Sequence, residues 1–173
     1  MKDCTLLETV SRAGTTSYRF SVASAAGTHA VASSVARALR PGMVIGLIGT
    51  LGAGKTEFVR GLVAALGGSD DVSSPTFVLE TVYEVPGLSG QQIRSVRHWD
   101  LYRLKGSPPP ELFDAPALDD AVTVVEWSER CGDLNDLLSL TIMLAFSALE
   151  TESEQFRTLT IESPDNSFQL DLT

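Results

Sequence analysis

The sequence predicts an α/β fold: a three-layer sandwich around a central mixed, mostly parallel sheet, extended by an antiparallel hairpin and antiparallel edge strands. Three observations carry this. Apolar runs of strand length alternate with segments of helical period. One run, Met43–Ile48, is apolar throughout, as in a strand covered on both faces, and passes straight into a glycine-rich turn and a helix. The chain has 173 residues, 43% of them hydrophobic, enough for one domain with a sizeable core. All of residues 1–173 are therefore assigned to a single domain, with 1–16 and 163–173 at its periphery.

The elements follow in order. Tyr18–Ala23 alternates weakly and reads as a first strand. Thr28 can cap a helix running to Leu39, with Val31, Val35, Ala38 and Leu39 on one face, stopped by Pro41-Gly42. Met43–Ile48 is the buried strand. Lys55–Leu66 is the next helix, with Phe58, Leu62, Ala65 and Leu66 inward and Gly67-Gly68 ending it. After the turn Val72–Phe77, the strands Phe77–Val85 and Ile93–Trp99 form a long hairpin closed by Pro86–Gly90. Pro108-Pro109-Pro110 marks a surface excursion. Val122–Val125 is a short β-branched strand. Leu137–Phe146 and Gln155–Glu162 read as two final strands joined by the acidic loop Glu150–Glu154, with a frayed or edge-forming tail from Ser163.

The turn after Ile48 carries the chemistry. Gly49-Thr50-Leu51-Gly52-Ala53-Gly54-Lys55-Thr56 fits G-x-x-x-x-G-K-[ST], a phosphate-binding loop between a strand and a helix. Its glycines let the backbone turn with positive φ and approach phosphates closely. The helix N-terminus adds its dipole. Lys55 supplies a mobile charge for β- and γ-phosphates, and Thr56 a hydroxyl for Mg²⁺. The sandwich is thus P-loop NTPase-like, and the expected ligand is a nucleoside di- or triphosphate, ATP or ADP, with Mg²⁺. Candidate nucleotide-binding residues are Gly49, Leu51, Gly52, Ala53, Gly54, Lys55, Thr56 and, next along the helix, Glu57.

Hydrolysis needs further groups, which usually stand at the C-terminal ends of neighbouring strands. Asp100 ends the strand containing Arg97-His98-Trp99 and can hold Mg²⁺, or cap the strand and pair with Arg103. Glu126 closes Val122–Val125; a carboxylate there is costly to bury without a cation, although pairing with Arg130 is the plainer reading. Thr76, in Ser74-Pro75-Thr76, can sense a γ-phosphate or simply close a Ser/Thr turn. His98 shares the face of Asp100 and reads as a general base or as a packed structural histidine. His29 reads as a surface residue, and Trp99 and Trp127 as core or rim.

Charge and cysteines bound the setting. The net charge of −9 argues against a chain that grips nucleic acid by itself. Residues 1–105 carry +3 and residues 106–173 carry −12, which suits either a solvated acidic face or a surface for a basic partner protein. Cys4 and Cys131 form no metal or redox spacing, no stretch is long enough to span a bilayer, and the N-terminus does not read as a signal peptide. A cytoplasmic location is expected.

These pieces, in this order, resemble the TsaE (YjeE) family of ATPases required for threonylcarbamoyladenosine (t6A) modification of tRNA. The resemblance rests on Leu47–Thr56, Val72-Ser73-Ser74-Pro75-Thr76-Phe77, His98-Trp99-Asp100-Leu101-Tyr102-Arg103-Leu104 and Val124-Val125-Glu126-Trp127, and covers about residues 20–160. It implies a catalytic set of Lys55, Thr76, Asp100 and Glu126, with Thr76 switch-like. It implies a metal shell of Thr56, Asp100 and Glu126, with Trp127 packed beside Glu126 and Arg157 near the nucleotide. It further implies slow ATP turnover that resets or activates a t6A synthase, namely a catalytic subunit and its paralogous partner, with tRNA met only through that complex and no membrane involved. The chain departs from the family at Thr50, where Asp is common, at Glu57, where a second Thr is common, and across Gly106–Ala121.

Two other functions compete. A small-molecule or nucleoside kinase would need lid arginines, and after Lys105 only Arg130 and Arg157 remain. A nucleotide-sensing module would bind without useful turnover. Direct tRNA binding would rest on the strip Arg94, Arg97, Arg103 and Lys105 alone.

Overall fold

The computed structural model describes residues 3–12, 14–75, 79–105, 107–147, 156–164 and 168–170. Eight strands form one sheet: β1 (Cys4–Arg12), β2 (Thr15–Val22), β3 (Val44–Ile48), β4 (Glu80–Glu84), β5 (Ser95–Asp100), β6 (Ala121–Glu126), β7 (Leu140–Phe146) and β8 (Arg157–Ser163). Their order across the sheet is β1-β2-β8-β7-β3-β6-β5-β4. The four central strands, β7-β3-β6-β5, are parallel. Every pairing outside them is antiparallel. The sheet is therefore mixed, with its parallel part confined to the centre, where β3 and β6 are buried along almost their whole length.

One face is covered by α1 (Ala25–Ala38) and α2 (Lys55–Ala65), which pack on each other as well as on the sheet. Alternation along β3 sends Ile45 and Leu47 to this side, where they meet Val31 and Val35 of α1 and Phe58, Leu62 and Leu66 of α2. Helix α1 starts four residues earlier than the sequence suggests. Ser24, not Thr28, is the cap: its Oγ accepts from the Gly27 amide at 3.1 Å, while Thr28 is buried inside the first turns.

The opposite face carries the third layer, made of single turns: α3 (Pro110–Phe113) and short 3-10 segments at Ala115–Ala117, Ser128–Arg130 and Gly132–Leu137. Leu112, Ala115, Leu134 and Leu138 close over Val44, Trp99 and Val125. The triple proline therefore does not lead a surface excursion. Pro110 starts α3, where a missing N–H does no harm, and Leu112 lands in the core. Described segments near both termini also join the fold. β1 pairs with β2 at the sheet edge. Of the tail expected to be frayed or to form an edge, the described residues Phe168 and Leu170 are buried in the main core. The expected joining loop Glu150–Glu154 lies outside the described residues.

The parallel centre positions the site. Register places Glu126 beside Leu47 on one side and beside Asp100 on the other. Adjacent strands lie about 4.8 Å apart. The ends of β3, β6 and β5 thus present, in a row, the glycine-rich turn, Glu126 and Asp100.

Candidate functional site

The turn after β3 is shaped by its glycines. Gly54 is the N-cap of α2 with φ of 106°, a left-handed conformation that excludes ordinary side chains, and no side chain caps the helix. The first-turn N–H groups and the positive end of the helix dipole are left for an anion. Gly49 is needed for space: a Cβ there would run into the Leu144 carbonyl oxygen of β7 and lie 3.2 Å from the Ala53 side chain. Gly49→Ala is expected to destabilise the fold by about 1–3 kcal/mol, the usual range for overpacking against backbone. Thermal denaturation checks this; an unshifted transition would show that the turn is looser than its contacts suggest.

Lys55 lies along this turn. Its Nζ donates to the carbonyl oxygens of Gly49 (2.7 Å) and Thr50 (3.1 Å) and sits 3.7 Å over the Trp127 ring. Burial lowers its pKa from the ordinary lysine value, while the charges of Glu126, Glu129 and Asp100 pull it back up. Trp127 is the one non-glycine residue with positive φ among the described residues, at φ 60° and ψ 38°. That conformation costs about 1–2 kcal/mol. It turns the chain sharply after β6 and lays the indole under Lys55, with the Tyr102 ring 4.9 Å away on the same cluster.

Glu126 is 3% exposed and is held from two sides. Thr56 Oγ1 donates to its Oε1 at 2.8 Å, and His98 Nε2 meets the same oxygen at 2.9 Å. Neither partner is Arg130, which instead donates to the Tyr102 carbonyl oxygen at 2.6 Å. Asp100, one strand further out, binds elsewhere. Its Oδ2 accepts from Ser74 Oγ at 2.5 Å and its Oδ1 from the Tyr102 amide at 2.9 Å. The two carboxylates thus divide the work: Glu126 touches the glycine-rich loop's threonine, and Asp100 ties down the segment before residue 76.

These groups open into one cavity of about 1240 Å³, which takes in Leu51, Gly52, Gly54, Lys55 and Thr56, then Ser74, Asp100, Glu126, Trp127 and Arg157. The glycine-rich turn lines it together with three carboxylates, Glu57, Asp100 and Glu126, and three cations, Lys55, Arg103 and Arg157, and Leu51 is 73% exposed. The arrangement is a glycine-rich turn at a helix N-terminus with a buried carboxylate beside it.

Comparisons with known proteins identify the family. The family model described as "Threonylcarbamoyl adenosine biosynthesis protein TsaE" matches residues 22–158. The chain belongs to the TsaE family. Among its relatives, the tRNA threonylcarbamoyladenosine biosynthesis protein TsaE of Treponema pallidum is 38% identical over 114 residues, covering 64% of this chain and 78% of the relative. The protein of the same name from Streptomyces coelicolor is 36% identical over 131 residues, covering 73% and 84%. The crystal structure of Bacillus subtilis YdiB superposes with a TM-score of 0.64 at 23% identity, covering 91% of this chain and 92% of that one, which shows the same fold.

In this TsaE-family chain most of the sequence-derived candidates meet at the cavity. Leu51, Gly52, Gly54, Lys55, Thr56, Glu57, Asp100, Glu126 and Arg157 all line it. Gly49 and Ala53 do not; they form the layer beneath, with Ala53 fully buried. Thr76 lies outside the described residues. Glu57 turns its carboxylate to His29 Nε2 (2.6 Å) and to Arg60. Arg60 in turn donates to the carbonyl oxygens of Asp70 and Val72. His29, with its side chain 38% exposed, is the expected surface residue and also bonds α1 to α2. The sequence reading missed Ser74 as a partner of Asp100 and Trp127 as the platform of Lys55. Both stood next to quoted candidates, and only the three-dimensional register shows their contacts. The basic strip is also broken up: Arg94 is spent on the carbonyl oxygens of Pro86 and Ile93, and Arg97 on Glu80.

Proposed function

We propose that this chain is an Mg²⁺-dependent ATPase that binds and hydrolyses ATP in support of the protein complex that forms t6A on tRNA. The observation that carries the reading is the Thr56–Glu126 hydrogen bond at the foot of a glycine-rich phosphate cradle. A threonine that ends such a loop and donates to a carboxylate can turn its oxygen to a metal without giving up that bond. The curated relatives carry the name of the t6A pathway, which supplies the process.

The residues present fit the metal. Among the described residues no group of three or more His, Cys, Asp and Glu could hold an ion unaided. Mg²⁺ in nucleotide sites is usually held by one or two carboxylates together with phosphate oxygens and water. Thr56 and Glu126 provide the protein's share, with Asp100 one strand away. Mg²⁺ would neutralise charge on the β- and γ-phosphates.

The chain's own residues then have separate tasks. The Gly49–Thr56 backbone and the α2 N-terminus bind the phosphate chain. Lys55 exchanges the Gly49 and Thr50 carbonyls for phosphate oxygens, starting from a position in which its ammonium lies over the Trp127 ring. Glu126 orients water or accepts its proton, and Asp100 holds the second side of the site. Arg157 stands at the cavity edge where it can meet the nucleotide. Thr76 would join from the segment that Ser74 and Arg60 anchor. Turnover would be slow and would act on the t6A synthase catalytic subunit and its paralogous partner. The net charge of −9 and the internally bonded Arg94 and Arg97 favour contact with tRNA through that complex.

The test is genetic and chemical. The t6A content of tRNA is measured after depletion of this protein, then after rescue. Wild type is expected to restore t6A and Lys55→Ala is not. Normal t6A on depletion would sink the proposal.

A further inference from the structure

His98 is the buried titratable group that the scheme above leaves unused. Its ring is 0% exposed, and β5 directs it to the α-helical side of the sheet, as it does Val96 and Asp100. Register sets His98 opposite Val124, two residues short of Glu126, so the imidazole leans forward along the strands to reach the carboxylate. Tyr83 flanks it, with ring centroids 6.1 Å apart. A leucine would fill this space without burying polar nitrogens. The feature that accounts for a histidine is the 2.9 Å contact of Nε2 with Glu126 Oε1.

We propose that His98 is a positioning residue whose Nε2–H pins Glu126 Oε1 against Thr56 and leaves Oε2 to the cavity. The proposal rests on the ATPase reading above and names how its carboxylate is aimed. Thr56 donates to Oε1 and the carboxylate is an acceptor, so the ring nitrogen facing it must carry the hydrogen. Two donors converging on one oxygen fix the carboxylate; Thr56 alone, a rotatable hydroxyl that is also a metal candidate, would not. Nδ1 has no hydrogen-bond partner among the described residues, so Glu126 is the ring's single polar anchor there. Outer partners of this kind change metal affinity or activity by about 10–100-fold when removed.

Three measurements test this. In the ¹⁵N spectrum of the wild type, Nε2 of His98 is expected to carry hydrogen; a bare Nε2 overturns the proposal. The affinity for the slowly hydrolysed analogue ATPγS is then measured with and without Mg²⁺. His98→Leu is expected to leave the metal-free affinity unchanged and to cut the gain from Mg²⁺ by about tenfold or more. His98→Gln, whose amide can replace Nε2–H, is expected to recover most of that gain. A full Mg²⁺ gain in His98→Leu, or a folded His98→Gln as impaired as His98→Leu, overturns it. If His98→Leu fails to fold, the wild-type spectrum and His98→Gln decide. A wild type that binds Mg²⁺ and nucleotide but never hydrolyses ATP would sink the ATPase reading alone, since the affinity gain is read without turnover.

Discussion

Lys55→Met should lower ATP hydrolysis by about 10²–10³-fold, the usual cost of removing one preorganised donor to developing charge, and yet leave the nucleotide-free protein no less stable. The two halves have one cause. Lys55 is 5% exposed, and its burial holds the ammonium below its ordinary pKa even though Glu126, Glu129 and Asp100 oppose the shift. A lysine whose folded-state pKa is lowered is charged more readily in the unfolded chain than in the folded one. The resulting cost to stability is fully present at neutral pH. It is relieved as pH rises through the lowered value towards the unfolded value of about 10.4. The wild type should therefore gain on Lys55→Met across that alkaline window, and the melting temperature of Lys55→Met at pH 7 should equal or exceed that of the wild type. A clear fall at pH 7 would mean that the two carbonyl contacts and the Trp127 stack outweigh desolvation. Unimpaired hydrolysis would remove Lys55 from the site altogether.

A residue strained or buried for function at the expense of stability is legible in sequence only where its chemistry is unusual for its place. Gly49–Thr56 is such a place, because glycines, a lysine and a threonine at that spacing after an apolar strand fit the proposed phosphate-binding loop. Glu126 is another, since a carboxylate ending Val122–Val125 runs against the run's own preference for burial. The centre of the sheet was legible for a related reason. Strands buried on both faces are apolar throughout, and β3 and β6 show it directly.

Elsewhere the signal is absent from the residues themselves. β1 is mostly exposed along its length, so no apolar alternation marks it, and backbone pairing with β2 makes the strand. The third layer is built from single turns, too short for any period to show, and Pro108–Pro110 looked like an excursion because a one-turn helix begins with the same residue that breaks a long one. Contacts across strands are legible only through register. His98 and Glu126 are 28 residues apart, and only the parallel pairing of β5 with β6 puts them at hydrogen-bond distance. The same register explains why Asp100, rather than Glu126, is the partner of Ser74: it stands one strand further from the loop.

That spacing separates the two carboxylates experimentally. Glu126→Gln should reduce hydrolysis by about 10²–10⁴-fold, the range for loss of a positioned general base, while nucleotide binding persists. The amide oxygen can still accept from Thr56, so the cradle keeps its shape, and what is lost is the negative charge and basic oxygen facing the cavity. Asp100→Asn should have the smaller effect on turnover. Asp100 spends both oxygens on Ser74 and the Tyr102 amide, so its substitution should loosen the segment leading to residue 76 and show mainly as weaker dependence on the γ-phosphate. Steady-state hydrolysis by both variants, set beside their affinities for ADP and ATPγS, reads the difference. Equal losses in the two variants would mean that the carboxylates act as one unit on the metal. A larger loss in Asp100→Asn would reverse the assignment, with Asp100 as the principal carboxylate and Glu126 its support.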